Sequence, residues 1–217
     1  MSMKLTLPQQ DIYYEQLVYP KSPIYNIGAK IEIKGNIVFE VLNDAYKKLI
    51  NQHDAYRSYV VHENNAVAIK TNEDFNGELE YLDCTLKSDA EAYANSFMQE
   101  KMTTPFSLQE DTQLHYFVLI KVSEASYYLF SMYHHIITDG WGTSLMFQRL
   151  VKNYNELFEL KEVTAYPFTY TDFVLDDTQY AASESYEKDK IYWTEKFKQL
   201  PEELLVPKKN QTITPKS

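Results

Sequence analysis

The sequence is poor in cysteine and arginine. Its 217 residues include one cysteine, Cys84, and two arginines, Arg57 and Arg149. A single thiol excludes a disulfide within the chain and is typical of proteins that work in a reducing cytoplasm. Any arginine that supports a functional site must be one of these two.

Long apolar runs and an excess of basic charge are also missing. No apolar run is long enough for a membrane span, and residues 1–8 lack the features of a signal peptide. Lys and Arg total 21 against 31 Asp and Glu, which gives a net charge of −10. This charge disfavours binding to nucleic acid or to an anionic membrane surface. We therefore expect a cytoplasmic protein with neither as a partner.

The residues that are present predict a well-filled core of mixed α and β structure. The hydrophobic fraction is 44%, with 19 Tyr and 11 Phe. Apolar residues recur at helical spacing in segments 8–19, 38–49, 88–101, 141–157 and 186–200. Ser88 and Glu91 resemble a capping box for the third of these helices.

Strand patterns fall between the helices. They are predicted at 27–33, 56–61, 67–69, 78–82, 114–122 and 127–135, the last two forming a hairpin. Residues 160–185 carry no assignment, and the polar segment 201–217 is predicted to be a linker. The order predicts an α/β (α+β) fold, a two-layer sandwich of helices on a mixed, largely antiparallel sheet.

The residues that carry chemistry follow the hairpin, at His134-His135-Ile136-Ile137-Thr138-Asp139-Gly140. Adjacent residues of a strand point to opposite faces, so the two imidazoles are poorly placed to bind one metal ion. We expect one histidine to face a cleft and the other to pack inward. A neutral imidazole can accept a proton from an attacking amine or alcohol.

The end of this segment allows more than one interpretation. Asp139 is predicted to order the loop or to pair with an arginine, and Gly140 to permit a turn that a side chain would forbid. The residues alone leave a second possibility open. Two histidines can simply end a core strand, and Asp-Gly can be an ordinary turn.

The pattern His-His-x-x-x-Asp-Gly resembles the signature of nonribosomal peptide synthetase condensation domains, in the chloramphenicol acetyltransferase-like superfamily. Further segments resemble that family in the same order: 5–13, 52–58, 104–108, 170–174 and the pair Tyr192-Trp193. The chain departs from the family in three places. The arginine usual near Gln10 is missing, Gln52 replaces another arginine, and Gly142 replaces a common serine.

The resemblance implies a half-domain: residues 1–200 as the N-terminal lobe, and 201–217 leading to a missing C-terminal lobe. It implies amide-bond formation between substrates on donor and acceptor carrier-protein domains, in a synthetase that also contains an adenylation domain. The phosphopantetheine arms belong to the carriers, and no metal or other cofactor is implied. If Met1 is the native start, we expect this to be the first domain of its polypeptide.

The resemblance also assigns roles to the site residues. His135 orients the acceptor amine or takes its proton, beside His134, Asp139 and Gly140, whose backbone lies near the reacting centre. Asp139 is expected to be structural and to pair with Arg57. One lobe alone is expected to be inactive, and its uncovered apolar face to favour a homodimer.

Two other functions remain open from the sequence. The chain can belong to a different acyltransferase of the superfamily, which acts on an alcohol or a free amine. It can also be a noncatalytic binding lobe, because half of a tunnel cannot enclose two substrates.

Overall fold

A computed structural model describes residues 2–63, 66–73, 75–109 and 112–200. The predicted linker 201–217 and the predicted turn at Asn64-Asn65 lie outside the described residues. The chain divides into two compact units, Met1–Leu175 and Asp176–Ser217. No described helix is both long enough and apolar enough to cross a membrane.

The strands of the first unit form two sheets. They are β1 Ser2–Lys4, β2 Asn26–Lys34, β3 Ser58–Glu63, β4 Ala66–Thr71, β5 Glu80–Asp83, β6 His115–Ser123 and β7 Ser126–His134. One sheet has the order β1-β4-β3 and the other β2-β7-β6-β5. Among the described strands, only β5 and β6 pair in parallel. The mixed, largely antiparallel class is confirmed, but the strands lie in two sheets because the β3–β4 hairpin pairs with the N-terminal strand.

The helices are α1 Leu7–Val18, α2 Phe39–Gln52, α3 Ala90–Thr103, α4 Gly140–Phe158, α5 Tyr170–Ala181 and α6 Glu184–Lys196. A 3-10 turn, Asp54–Arg57, joins α2 to β3. Helix α6 lies in the second unit, where the Ser183 side chain caps it by accepting the Tyr186 N–H at 3.2 Å.

The core lies on both faces of the four-stranded sheet. On β6, Phe117 and Leu119 belong to a cluster with residues of α2 and α4, whereas Val118 and Ile120 join residues of α3. Both faces of β6 are therefore apolar, which explains its unbroken hydrophobic run. Residues of α2 and α4 thus pack with one face of β6, and residues of α3 with the other.

Strand β2 runs unusually close to its neighbours at Gly28. A Cβ atom at this position would lie 2.6 Å from the carbonyl oxygen of Ser131 and 2.9 Å from the sulfur of Met102. Glycine is needed here for a close approach to β7 and α3, in a backbone region open to any residue.

Two local predictions need correction. Ser88 does not begin α3, since Asp89 is its N-cap and accepts the Ala92 N–H at 2.9 Å. Residues 160–185, left unassigned, contain α5. Thr169 lies at the start of this helix and its Oγ1 accepts the Asp172 N–H at 3.0 Å, while the distant Asp54 carboxylate accepts the N–H groups of Tyr170 and Thr171.

Candidate active site

The loop of residues 135–139 joins the end of β7 to the start of α4. His134, the last residue of β7, is 0% exposed. Its Nδ1 accepts the Ile136 N–H at 3.1 Å, so in the neutral ring Nε2 carries the hydrogen and faces Oε1 of Gln16 at 3.4 Å. Burial, and then the neighbouring His135, lower the pKa of His134 to about 4. This imidazole is neutral at neutral pH, with both nitrogens engaged inside the protein.

His135 follows β7 in the loop and is only partly buried. Its Nδ1 lies 2.9 Å from the carbonyl oxygen of Thr138, and its own N–H donates to the carbonyl of Tyr25 at 2.8 Å. A carbonyl oxygen can only accept, so Nδ1 carries the hydrogen. The lone pair is then on Nε2, the atom that a general base uses. His134 is thus fully buried at the end of β7, whereas His135, in the turn that follows, is partly exposed.

Asp139 is exposed and acts as the N-cap of α4. Its Oδ1 accepts the Gly142 N–H at 2.7 Å, and its carbonyl accepts both the N–H and the hydroxyl of Thr143 at 2.9 and 2.8 Å. A carboxylate at this position satisfies a free N–H and the positive end of the helix. Asp139 therefore orders the loop, one of its two predicted roles.

The predicted pair between Asp139 and Arg57 is wrong. The Arg57 guanidinium donates to the carbonyls of Ile50 and Asn72 and contacts Glu73 at 3.3 Å. The second arginine, Arg149, donates to the carbonyls of Thr164 and Ala165. Carbonyl groups close in the fold satisfy both guanidinium groups, and Arg57 supports the turn after α2 rather than the loop.

Of the two glycines in this segment, Gly142 is the one that its surroundings require, whereas the turn predicted to need Gly140 does not. A Cβ atom at Gly140 would have no atom within 4 Å, and its φ is not in the left-handed region, so the turn does not require glycine there. A Cβ atom at Gly142 would lie 2.5 Å from Oγ1 of Thr138 and 3.3 Å from Oδ1 of Asp139. Glycine at 142 lets the capping contact close, whereas glycine at 140 leaves the backbone uncovered.

Helix α1 contributes site residues that the sequence analysis did not assign. Gln9 and Gln16 lie two turns apart on its buried face, each about 5% exposed. Nε2 of Gln9 donates to the Ile136 carbonyl at 2.9 Å, and Gln16 faces His134. The sequence did indicate these residues weakly, because Gln9 and Gln16 are seven residues apart on one helical face and Gln9 lies within a family-like segment.

The second and fourth family-like segments meet at Asp54. Its carboxylate accepts the N–H groups of Tyr170 and Thr171 at 2.7 and 2.9 Å and the Thr171 hydroxyl at 2.7 Å. Asp54 therefore satisfies the first two N–H groups of α5 from more than a hundred residues away in sequence, and the local Thr169 hydroxyl satisfies the next, that of Asp172.

Tyr56 lies between the same segment and the histidine loop. Its hydroxyl is 3.4 Å from Oγ1 of Thr138, and burial raises the pKa of Tyr56 to about 12. Two other histidines, His53 and His115, lie outside the loop, and burial lowers the pKa of each to about 4. In the described part of the chain, no three His, Cys, Asp or Glu side chains are grouped to hold a metal ion.

Comparison with known proteins adds to this geometry. The family model described as Condensation domain matches residues 2–217. The chain belongs to the condensation-domain family. Its relatives include the dimodular nonribosomal peptide synthase of Bacillus subtilis (strain 168), 27% identical over 203 residues. Enterobactin synthase component F of Escherichia coli O157:H7 is 24% identical over 201 residues.

These relatives are much longer than the chain. The matched region covers 93% of this chain but 8% of the dimodular synthase, and 92% but 16% of the enterobactin component. Family membership therefore holds for the region compared, and the relatives are multidomain nonribosomal peptide synthetases.

Solved structures agree with the fold. The starter condensation domain of rhizomide synthetase RzmA has a TM-score of 0.85 and 27% identity, over 90% of this chain and 48% of that one. The first condensation domain of the CDA synthetase has a TM-score of 0.77 at 24% identity, over 93% and 52%. The chain spans about half of each, and the predicted chloramphenicol acetyltransferase-like fold is confirmed.

Proposed function

We propose that this chain is the lobe of a condensation domain that carries the reactive histidine of amide-bond formation. The observation that carries this proposal is the orientation of His135. Its Nδ1 is held by Thr138 at 2.9 Å, and this leaves the Nε2 lone pair at the end of a strand whose neighbouring histidine is fully buried. One imidazole is thus available to a substrate, and its tautomer is fixed by the fold.

The reaction requires one proton transfer at this atom. The acceptor amine attacks the carbonyl carbon of a donor thioester, so an N–C bond forms and the C–S bond breaks. Nε2 of His135 takes or orients the proton of the amine, and the departing thiolate takes up a proton. A side chain that performs such a transfer contributes about 100- to 10,000-fold to the rate.

The glycine and the aspartate assist without direct proton transfer. No atom stands within 4 Å of a Cβ placed at Gly140, so a substrate can approach the backbone there. Asp139 keeps that backbone in place by capping α4. His134 stays neutral and braces the loop from inside. In this proposal Arg57 supports the site only through the 3-10 turn that contains Tyr56 and Asp54.

The partners follow from the same chemistry. The donor and the acceptor arrive on the phosphopantetheine arms of two carrier-protein domains, and an adenylation domain of the same synthetase loads the acceptor. One solved structure of the RzmA starter domain is described as a complex with C8-CoA and Leu-SNAC, an acyl thioester and an aminoacyl thioester. This supports thioester substrates for the present chain.

A second lobe completes the enclosure in this proposal. The chain spans about half of the solved condensation domains, and α1 exposes Leu7, Leu17 and Val18. A single lobe holds one wall of the site, so the chain alone does not condense substrates. Its exposed apolar side chains favour association with a second copy when the other lobe is missing.

The substrate class is tested with the intact synthetase that contains this chain. Donor and acceptor carriers are loaded, and the product on the acceptor carrier is identified by mass spectrometry. An amide product from an aminoacyl acceptor supports the proposal. Ester formation with a hydroxyacyl acceptor, and none with the aminoacyl acceptor, would favour an alcohol acyltransferase. No transfer to either acceptor would favour a binding lobe.

A further inference from the structure

The Gln9 side chain connects helix α1 to the histidine loop. It is 5% exposed, and its Nε2 donates to the Ile136 carbonyl at 2.9 Å. Its Oε1 accepts from the N–H of Thr6 at 3.1 Å and from the Thr6 hydroxyl at 3.2 Å. The amide is therefore oriented by three hydrogen bonds, and only one of them reaches the loop.

The residue that Gln9 holds is the one directly after His135. Ile136 is fixed on both of its backbone groups, since its N–H donates to Nδ1 of His134 and its carbonyl accepts from Gln9. The N–H of His135 is fixed in turn by the Tyr25 carbonyl at 2.8 Å. These hydrogen bonds fix the backbone conformation in which Nδ1 of His135 contacts the Thr138 carbonyl.

We infer that Gln9 is a positioning residue for His135, acting through the Ile136 carbonyl. This inference rests on the proposed function for its effect on catalysis, because His135 is the group positioned. Loss of the Gln9 N–H leaves a buried carbonyl without its donor, which favours a shift of the loop. The His135 Nδ1–H then loses its fixed acceptor, and both tautomers become populated.

A purely structural role for Gln9 has to be separated from positioning. Gln9 is also the N3 residue of the capping box that begins α1, with Thr6 as the N-cap. Gln9→Glu keeps an oxygen for the Thr6 N–H but removes the donor to Ile136. Thr6→Ala removes the hydroxyl part of the capping box and leaves the Gln9 amide on Ile136. Gln10→Ala is a neighbouring control, since the Gln10 side chain donates to the Leu5 carbonyl rather than to the histidine loop.

The readout is the tautomer of His135 in the 217-residue chain, measured by long-range ¹H–¹⁵N spectra at a pH where histidines are neutral. The five histidines are assigned by single substitutions, with His135→Gln for the site. We expect the Nδ1–H form alone in the wild-type chain, Thr6→Ala and Gln10→Ala, and a mixture of tautomers in Gln9→Glu. If Gln9→Glu does not fold, Gln9→Met replaces it.

The intact synthetase provides the second readout. Displacing a reacting group by about 1 Å can cost on the order of 100-fold in rate, and we expect Gln9→Glu to lower kcat by a similar factor, with KM within a few-fold. A His135 tautomer that is unchanged in Gln9→Glu and Gln9→Met overturns the inference. A shifted tautomer with an unchanged kcat leaves the positioning intact and instead contradicts the proposed role of His135.

Discussion

Nδ1 of His135 lies 2.9 Å from the carbonyl oxygen of Thr138, within the same short loop. The contact ties the tautomer of the imidazole to the backbone conformation just before α4. Anything that moves Thr138, whether a lost cap, a new side chain or a shifted strand end, therefore changes which nitrogen offers a lone pair.

Asp139 is predicted to act as a helix cap. Asp139→Ala should lower the free energy of unfolding by about 1 kcal/mol, the usual effect of removing an N-cap. Asp139→Asn should stay close to the wild type, because asparagine caps equally well. Urea unfolding of the three chains checks this. An Asp139→Ala chain that is as stable as the wild type while the intact enzyme is inactive would point to direct catalysis instead.

Asp54 is predicted to hold α5 in place. Asp54→Ala removes the acceptor of three hydrogen bonds from Tyr170 and Thr171, and should cost about 2 kcal/mol of unfolding free energy. The exposed Asp44 on α2 supplies the control, Asp44→Ala. Thermal unfolding should show a drop of several degrees for the first variant alone. Equal melting temperatures for both variants would show that the cap contributes little.

These caps illustrate what the sequence can and cannot predict. The long hairpin and α4 were predictable because β6, β7 and the helix each carry an uninterrupted local pattern. The start of α5 carries a local signal that was missed, Thr169 with Asp172 three residues on, but its hydrogen bonds to the distant Asp54 were not predictable from the sequence. The pairing of Asp139 with Arg57 failed for a similar reason. Opposite charges in two motifs of one family suggest an ion pair. In the structure, however, each of the two side chains forms hydrogen bonds with backbone groups close to it.

The histidine site was also predictable only in part. The sequence predicted that one histidine would pack inward, and the structure buries His134 fully and His135 only partly. Which nitrogen of His135 is free depends on Thr138, and the loop itself depends on Gln9 of α1. Both contacts depend on how the loop and the helix pack in three dimensions, and the pattern of residues along the chain does not encode them.

Stability should fall in mild acid. Burial lowers the pKa of His134, of His115 and of His53 from 6.5 to about 4, with the Arg149 charge adding to the effect at His53. Between these two pH values the unfolded chain binds more protons at these sites than the folded chain, so unfolding becomes easier as the pH falls. Urea titrations at pH 7, 6, 5 and 4.5 should show a steady loss. A free energy of unfolding that is constant from pH 7 to 5 would contradict the burial of these imidazoles.

Two glycines should respond in opposite ways to alanine. Gly28→Ala places a Cβ 2.6 Å from the Ser131 carbonyl oxygen. This overpacking should lower the free energy of unfolding by about 1–3 kcal/mol. Gly140→Ala meets no atom within 4 Å and should leave stability unchanged, yet lower condensation by the intact synthetase because it covers the open backbone. Unfolding and condensation assays on both variants check this. Full activity of Gly140→Ala would remove that backbone from the reacting centre.

The central claim is that Nε2 of His135 serves the acceptor amine. The most direct test is the single-turnover rate of condensation by the intact synthetase, with both carriers loaded, for the wild type and for His135→Ala. His62→Gln serves as the control, since His62 is an exposed histidine of β3 whose Nε2 lies 2.7 Å from the Tyr13 hydroxyl, and glutamine keeps a polar partner there. We predict a loss of about 100- to 10,000-fold for His135→Ala, the range for a removed general base, and little change for the control. A rate for His135→Ala within a few-fold of the wild type would contradict the claim.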